Sequence, residues 1–188
     1  MNSSTRINYL HPAILAGTQT LVQKEGLTNF SLRKVAESMG IAPSTIYNHF
    51  DGNDALLCQA VQDYHQNFLN ALNKIITYNF AFEEQINEYI RLHQAVLFDD
   101  NKICLCAAMM ADFPNLSSCL KEVITKFLSD NEGWIEERLL ASDKDHHNAK
   151  TKAKAFVASI QGIMISCRID DSKQSFVELC SIAARIFD

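Results

Sequence analysis

The sequence predicts an all-α protein in which a short three-helix head, at about residues 10–50, precedes a larger helical body. Two observations predict this fold class. The 188 residues include only 6 Gly and 3 Pro, which are too few for a loop-rich or all-β fold. Apolar residues recur at intervals of three and four along most of the chain, and this spacing places them on one face of a helix. No run approaches about 18 apolar residues, so we expect no transmembrane helix.

The head is expected to contain three closely spaced helices. The first begins near Pro12, a residue tolerated in a first helical turn, and ends at Gly26. Ser31 is a favourable N-cap for a second, short helix that stops at Gly40. The third helix begins with a proline and covers about residues 43–50.

The body is expected to contain longer helices. A fourth helix follows a turn at residues 51–54, and three more cover about residues 82–97, 103–111 and 116–140. The last two helices carry apolar stripes with the spacing of a helix bundle: Ala153, Phe156, Ile160, Ile163 and Cys167, then Phe176, Leu179, Ala183 and Ile186. These stripes either form a seam with a second copy of the chain or close the core of a single copy.

The second and third helices have the spacing of a helix-turn-helix. Ala36 leaves room where two short helices cross, Gly40 tolerates the positive φ of the turn, and Ile46 buries the second helix against the first. With that face buried, polar side chains are left to point outward: Ser44, Thr45, Asn48 and His49. The alternative is a tight helical hairpin of the kind found in any all-α domain.

The run Gly26–Leu57 resembles the TetR family of bacterial repressors, most specifically in Thr-Ile-Tyr-Asn-His-Phe at residues 45–50. The resemblance covers about residues 10–60. It implies a cytoplasmic homodimer that reads a near-palindromic operator in double-stranded DNA and that a small-molecule effector releases. It also divides the chain into a DNA-binding domain at residues 1–52 and an effector-binding and dimerisation domain at residues 53–188.

The resemblance further implies which residues touch DNA. The implied base-facing residues are Pro43, Ser44, Thr45 and Asn48, and the implied phosphate contacts are Ser31, Arg33, Tyr47, His49 and Asn53. Asn53 departs from the family pattern, because the family usually has a lysine there that holds a phosphate. Residues 1–57 contain four basic and four acidic side chains, and residues 58–188 therefore carry the whole net charge of −5. A neutral head predicts a shallow salt dependence of DNA binding, and it keeps open a regulator that binds a protein instead of DNA.

In the TetR family the body binds the effector. The residues that could line such a site here are aromatic, sulfur-containing or imidazole side chains: Phe68, Tyr89, His93, Cys106, Met109, Met110, Phe113, Phe127 and Trp134. Their lack of charge favours an apolar or aromatic, uncharged effector, although such side chains commonly serve only as core. Ser159, Gly162 and Ser166 are small and would let two helices of a dimer approach closely.

The six cysteines are expected to be thiols, because residues 1–9 lack an apolar signal core and the cytoplasm is reducing. Cys104 offers an alternative regulator. It precedes a leucine, as in a TetR subgroup similar to repressors of the N-ethylmaleimide reductase type, in which such a cysteine senses electrophiles or oxidants. The other interpretation is an inert, buried cysteine. No catalytic, cofactor-binding or zinc-ligand motif occurs, so we expect neither an enzyme nor a cofactor.

Overall fold

The structure, a computed structural model, describes residues 3–188 and the side chains from Tyr9 onward. Over that range it contains helices and loops but no β-strand, so the predicted all-α class is confirmed. The helices are α1 (Ser3–Glu25), α2 (Leu32–Met39), α3 (Pro43–Tyr47), α4 (Asn53–Thr77), α5 (Phe82–Phe98), α6 (Leu105–Met110), α7 (Ser118–Leu140), α8 (Ala149–Ile169) and α9 (Phe176–Ala184). Within the described residues, none of these helices combines the length and apolarity needed to cross a bilayer.

The chain divides into two compact units. The first unit comprises the chain up to Gln66 together with Leu105–Ile124, and the second comprises Asn67–Cys104 and Thr125–Asp188. Both α4 and α7 therefore begin in the first unit and continue into the second. The boundary predicted between residues 52 and 53 separates a DNA-binding domain from an effector-binding domain. These two units do not test it, so it stays a prediction.

In the first unit, α1, α2, α3 and the start of α4 enclose an apolar core. Its buried members are Ile14, Leu15, Leu21, Leu32, Val35, Ala36, Ile46, Phe50, Leu56 and Ala60. The hydroxyl oxygen of Ser31 accepts a hydrogen bond from the backbone N–H of Lys34 and begins α2. Gly40 ends the helix with φ 64°, a conformation that glycine adopts without a steric penalty. Both predicted limits of the second helix are confirmed.

Three predicted helices have different limits in the structure. The first helix begins at Ser3 instead of near Pro12, so Pro12 lies inside the helix at an exposed position, where it costs helix stability without ending the helix. The third helix ends at Tyr47 instead of Phe50. The helix expected over residues 103–111 covers only Leu105–Met110, since a tight turn and Pro114 follow it.

The expectation that all six cysteines are thiols was also wrong. Cys58 of α4 and Cys119 of α7 form a disulfide, and their Cα atoms are 6.2 Å apart. The sequence could not reveal this pair, because only the packing of α4 against the start of α7 brings residues 61 positions apart together. The other four cysteines, Cys104, Cys106, Cys167 and Cys180, are buried thiols outside this disulfide.

In the second unit, α8 packs against α5 and α9. The apolar stripe of α8 faces the interior, since Ala153, Phe156 and Ile160 are buried. The stripe of α8 therefore closes the core of a single copy and does not form the seam expected of it. The opposite face of α8 is exposed and carries Ser159, Gly162, Ile165, Ser166 and Ile169. One face of α9 and the turn after it are also exposed and carry Val177, Leu179, Ile182 and Ile186.

Ala36 lies fully buried at the crossing of the head helices, and this predicts a large effect of side-chain size. We expect Ala36→Leu to lower the free energy of unfolding by about 1–3 kcal/mol, because the added atoms have no space. Urea unfolding followed by circular dichroism would measure the loss. Ala13→Leu is the matched control, since Ala13 is exposed on α1. Equal stability of the two variants would contradict the crowded crossing.

Candidate nucleic-acid interface

One side of α3 is apolar and buried, and the other side is polar and exposed. Ile46 is fully buried in the head core, whereas Ser44 is exposed and Tyr47 keeps 60% of its surface exposed. Pro43 begins the helix, where the missing N–H of proline costs no hydrogen bond. The short helix is therefore held by one apolar anchor and presents a polar surface outward.

The backbone continues for one more turn beyond α3. The N–H groups of Asn48 and Phe50 donate to the carbonyls of Ser44 and Ile46, at 3.2 and 3.0 Å. This turn leaves Asn48 exposed beside Tyr47 and His49 half-buried. Asn48 and His49 therefore stay on the predicted face, although they lie outside the helix.

His11 of α1 borders this turn, and sequence reasoning missed it. Its ring stacks on Phe50, with ring centroids 4.7 Å apart, and lies 5.9 Å from the ring of His49. No sequence signal could have found it, because the contact joins α1 to a residue on the far side of α2 and α3. His11 therefore packs beside both Phe50 and His49.

Two predicted phosphate contacts lie at the start of α2. The hydroxyl group of Ser31 is occupied as the helix cap. The side chain of Arg33 is 80% exposed and pairs with Glu37 at 2.8 Å, four residues along the same helix. An exposed pair of this kind contributes little stability, so Arg33 can exchange Glu37 for another anion at small cost.

Asn53, the first residue of α4, has a structural role. Its side-chain oxygen accepts a hydrogen bond from the backbone N–H of Leu32 at 3.2 Å and joins α4 to the start of α2. Only its amide nitrogen is left to donate toward a phosphate. Asn53 thus keeps the position of the family's lysine without the charge.

The missing charge at this position predicts a gain-of-function variant. We expect Asn53→Lys to bind DNA more tightly at low salt and to steepen the plot of log K against log salt by about one unit, because one more phosphate is neutralised. Fluorescence anisotropy at several salt concentrations would measure both quantities. Asn73→Lys is the control, since Asn73 is exposed on the same helix, twenty residues further along. An unchanged slope in Asn53→Lys would place position 53 away from DNA.

Five of the predicted effector residues form one cluster in the core of the second unit. Tyr89 is its centre: its ring stacks on Trp134, meets Phe68 edge-on and lies 4.7 Å from His93. Phe127 completes the cluster through a ring contact with Phe68 at 5.5 Å. These residues come from α4, α5 and α7, so only the folded unit brings them together.

The cluster contains buried polar groups without a formal charge. The Tyr89 hydroxyl donates to the side-chain oxygen of Asn131 at 3.0 Å, and burial raises the pKa of Tyr89 well above its ordinary value. Burial also lowers the pKa of His93 to about 4, so its ring is neutral at pH 7. His93 Nδ1 then donates to the carbonyl oxygen of Tyr89 at 3.1 Å, and Nε2 accepts from the Gln161 amide at 3.3 Å.

Two buried polar atoms beside this cluster have no hydrogen-bond partner. They are the side-chain oxygen of Gln161 and the indole nitrogen of Trp134. A buried polar atom without a partner costs about 1–3 kcal/mol, so such atoms call for an explanation. Sequence reasoning selected Trp134 and missed Gln161, because a single glutamine on an apolar helix carries no recognisable pattern.

The other four effector candidates belong to the first unit. Cys106 and Met109 of α6 are buried, and Met110 and Phe113 are half-buried. A surface pocket of about 240 Å³ in the second unit is lined by different residues, at Phe82, Asn87, Lys144 and Phe187 among others. The membership of an effector site therefore stays a prediction.

Cys104 precedes α6 and is 1% exposed. Its backbone N–H points at the sulfur of Met164, 3.1 Å away, and Lys102 forms an ion pair with Asp99. Burial of this kind restricts access for an electrophile. The predicted sensor role of Cys104 rests on the sequence resemblance alone.

The exposed polar face beside a helix-turn-helix, followed by an all-helical body, is the arrangement typical of helix-turn-helix regulators. Residues 14–60 match the sequence model of the tetR family of bacterial regulatory proteins. The recognition of the TetR family in the sequence is therefore confirmed.

Solved structures of the same fold cover nearly the whole chain. A TetR transcriptional regulator from Legionella pneumophila is 20% identical with a TM-score of 0.86, covering 100% of this chain and 98% of that one. A TetR-family regulator from Agrobacterium tumefaciens is 22% identical with a TM-score of 0.86, covering 95% and 97%. FadR from Bacillus subtilis, in complex with stearoyl-CoA, is 17% identical with a TM-score of 0.74, covering 96% and 98%. Curated proteins give no match.

Proposed function

We propose that this protein is a homodimeric repressor that binds a near-palindromic DNA operator and releases it when a small molecule binds in the helical body. The observation that carries the proposal is the exposed polar surface of α3 and the turn after it. Ser44 and Tyr47 stand outward on a helix that Ile46 anchors from behind, and Asn48 is exposed in the turn after it. A short helix with this division fits the major groove.

The DNA contacts fall into two groups. Pro43, Ser44, Thr45 and Asn48 face the base edges, and the amide of Asn48 can pair with both hydrogen-bonding groups of an adenine edge. The phosphate group comprises Ser31, Arg33, Tyr47, His49 and Asn53. Few of these residues are cations, so base contacts and dimer geometry supply more of the affinity than charge does.

The dimer forms through the exposed apolar face of α8 and α9. Ile169 is 80% exposed and Ile182 is 50% exposed, which is unusual for isoleucine in two neighbouring helices. The small residues Ser159, Gly162 and Ser166 lie on the same side of α8 and let a partner helix approach closely. Packing this face on its own copy gives the twofold symmetry that a near-palindromic operator needs.

The effector is an uncharged molecule that is mainly aromatic or apolar. The aromatic cluster around Tyr89 offers ring contacts, and neutral His93 adds no charge. A ligand with one donor and one acceptor would satisfy the oxygen of Gln161 and the indole N–H of Trp134. FadR, of similar fold, forms a complex with stearoyl-CoA, so a protein of this fold can bind a ligand with a long apolar chain.

A gel-shift experiment tests the function. The probe is a labelled duplex of the intergenic DNA that adjoins the gene, with unrelated duplex DNA as competitor. We expect a discrete complex that resists the competitor and requires two half-sites, because each head reads one of them. A folded dimer that gives no such complex would contradict DNA binding and favour the protein-binding regulator, which the neutral head also fits.

A further inference from the structure

The disulfide Cys58–Cys119 ties two helices of the first unit together. Cys58 lies in the second turn of α4, and Cys119 is the second residue of α7. Cys58 is buried, whereas Cys119 is half-buried. Cys119 is therefore the more exposed residue of the pair.

The part of α4 that carries Cys58 is built into the helix-turn-helix head. The Gln19 side chain of α1 donates to the carbonyl of Ala60 at 3.0 Å and to the carboxylate of Asp63 at 2.9 Å. Asn53 caps the start of α2, and Leu56 lies in the head core. The first ten residues of α4 therefore move with the head, and a bond at Cys58 fixes the head to the start of α7.

We propose that Cys58 and Cys119 are a reversible, peroxide-responsive dithiol, and that forming their disulfide weakens operator binding. The inference rests on the proposed repressor function. A repressor occupies its operator in the resting cell, and the compartment that holds bacterial DNA is reducing. The dithiol form is then the DNA-binding form, and the disulfide holds the head in an arrangement that fits the operator less well.

Hydrogen peroxide is the oxidant that converts the two thiols of Cys58 and Cys119 into the disulfide. The thiolate of Cys119, the more exposed residue of the two, attacks one peroxide oxygen, so the O–O bond breaks, a sulfenic acid forms and hydroxide leaves as water. The thiolate of Cys58 then attacks the Cys119 sulfur, forms the S–S bond and expels the second oxygen as water. Two thiols lose two electrons and the peroxide gains them. Two equivalents of a small thiol reverse the bond by exchange.

The other cysteines are poor competitors for the oxidant. All four are buried, and burial raises the pKa of Cys180 to about 12, which keeps that thiol protonated. Cys180→Ala is therefore a matched control for a cysteine substitution. Cys119→Ser removes one sulfur of the pair at a half-buried site, and Cys58→Ala removes its partner.

The experiment compares reduced and peroxide-treated full-length protein. After treatment and alkylation, peptide mass mapping is expected to show Cys58 joined to Cys119 and four cysteines alkylated. In a gel shift with the intergenic duplex, the treated protein is expected to bind at least about tenfold more weakly, and dithiothreitol is expected to restore the affinity. Cys119→Ser and Cys58→Ala should keep the reduced affinity after peroxide, whereas Cys180→Ala should respond like the natural chain.

The outcomes separate this inference from the proposed function. If the reduced protein binds DNA and the oxidised protein binds equally well or better, the redox inference is wrong and the repressor function stands. Failure of Cys58 and Cys119 to join also overturns the inference. If neither form binds the duplex, both the repressor function and the inference are contradicted.

Discussion

We expect the double substitution Ile169→Glu and Ile182→Glu to convert the protein into a monomer and to lower its affinity for the operator by about 100-fold or more. In a symmetric interface each substitution occurs twice, so like charges meet across an apolar contact that excludes water. The monomer then loses the high effective concentration that the first bound head provides for the second. Light scattering would measure the mass and anisotropy the affinity.

The fold of each copy should survive these substitutions, because both side chains project from the surface of the second unit. Phe98→Glu makes the same chemical change at an exposed apolar residue at the end of α5 and serves as the control. It should remain dimeric. A dimer of undiminished affinity in the double variant would show that α8 and α9 do not form the interface.

Removal of the outward side chains beside α3 is expected to abolish recognition without unfolding the head. Tyr47→Ala should weaken operator binding about 10- to 100-fold, the range for a hydrogen bond to a charged group. Asn48→Ala should cost about 1–3 kcal/mol of discrimination at one base pair and relax the sequence preference there. Binding curves against the operator and against single-base variants would separate the two effects.

Thermal unfolding of both variants should match the natural chain, since Tyr47 and Asn48 are exposed. Tyr47→Phe keeps the ring and removes only the hydroxyl, so it isolates the hydrogen bond. Asn73→Ala is the control for Asn48→Ala, because it removes an exposed asparagine far along α4. Unchanged binding by Tyr47→Ala and Asn48→Ala would place the operator on another surface.

Much of the head could be predicted because its signals are local. Ser31 caps α2 through a residue three positions away, and Gly40 ends it through its own backbone conformation. The spacing of Ala36 and Ile46 places both inside the small core that the structure contains. The start of α1 was less predictable, since proline is favourable only in a first helical turn and yet Pro12 lies inside α1.

The sequence by itself determined the helical class, the limits of α2 and the burial of Ile46 with Ser44 exposed on the same helix, since near neighbours along a helix settle these features. Only the tertiary structure decided which thiols meet, that His11 packs beside His49, and that the α8 stripe faces inward. Each of those depends on which helices pack together. The spacing of apolar residues shows that one face of a helix is apolar. It does not show whether that face is buried inside one copy or between two copies, because both produce the same spacing.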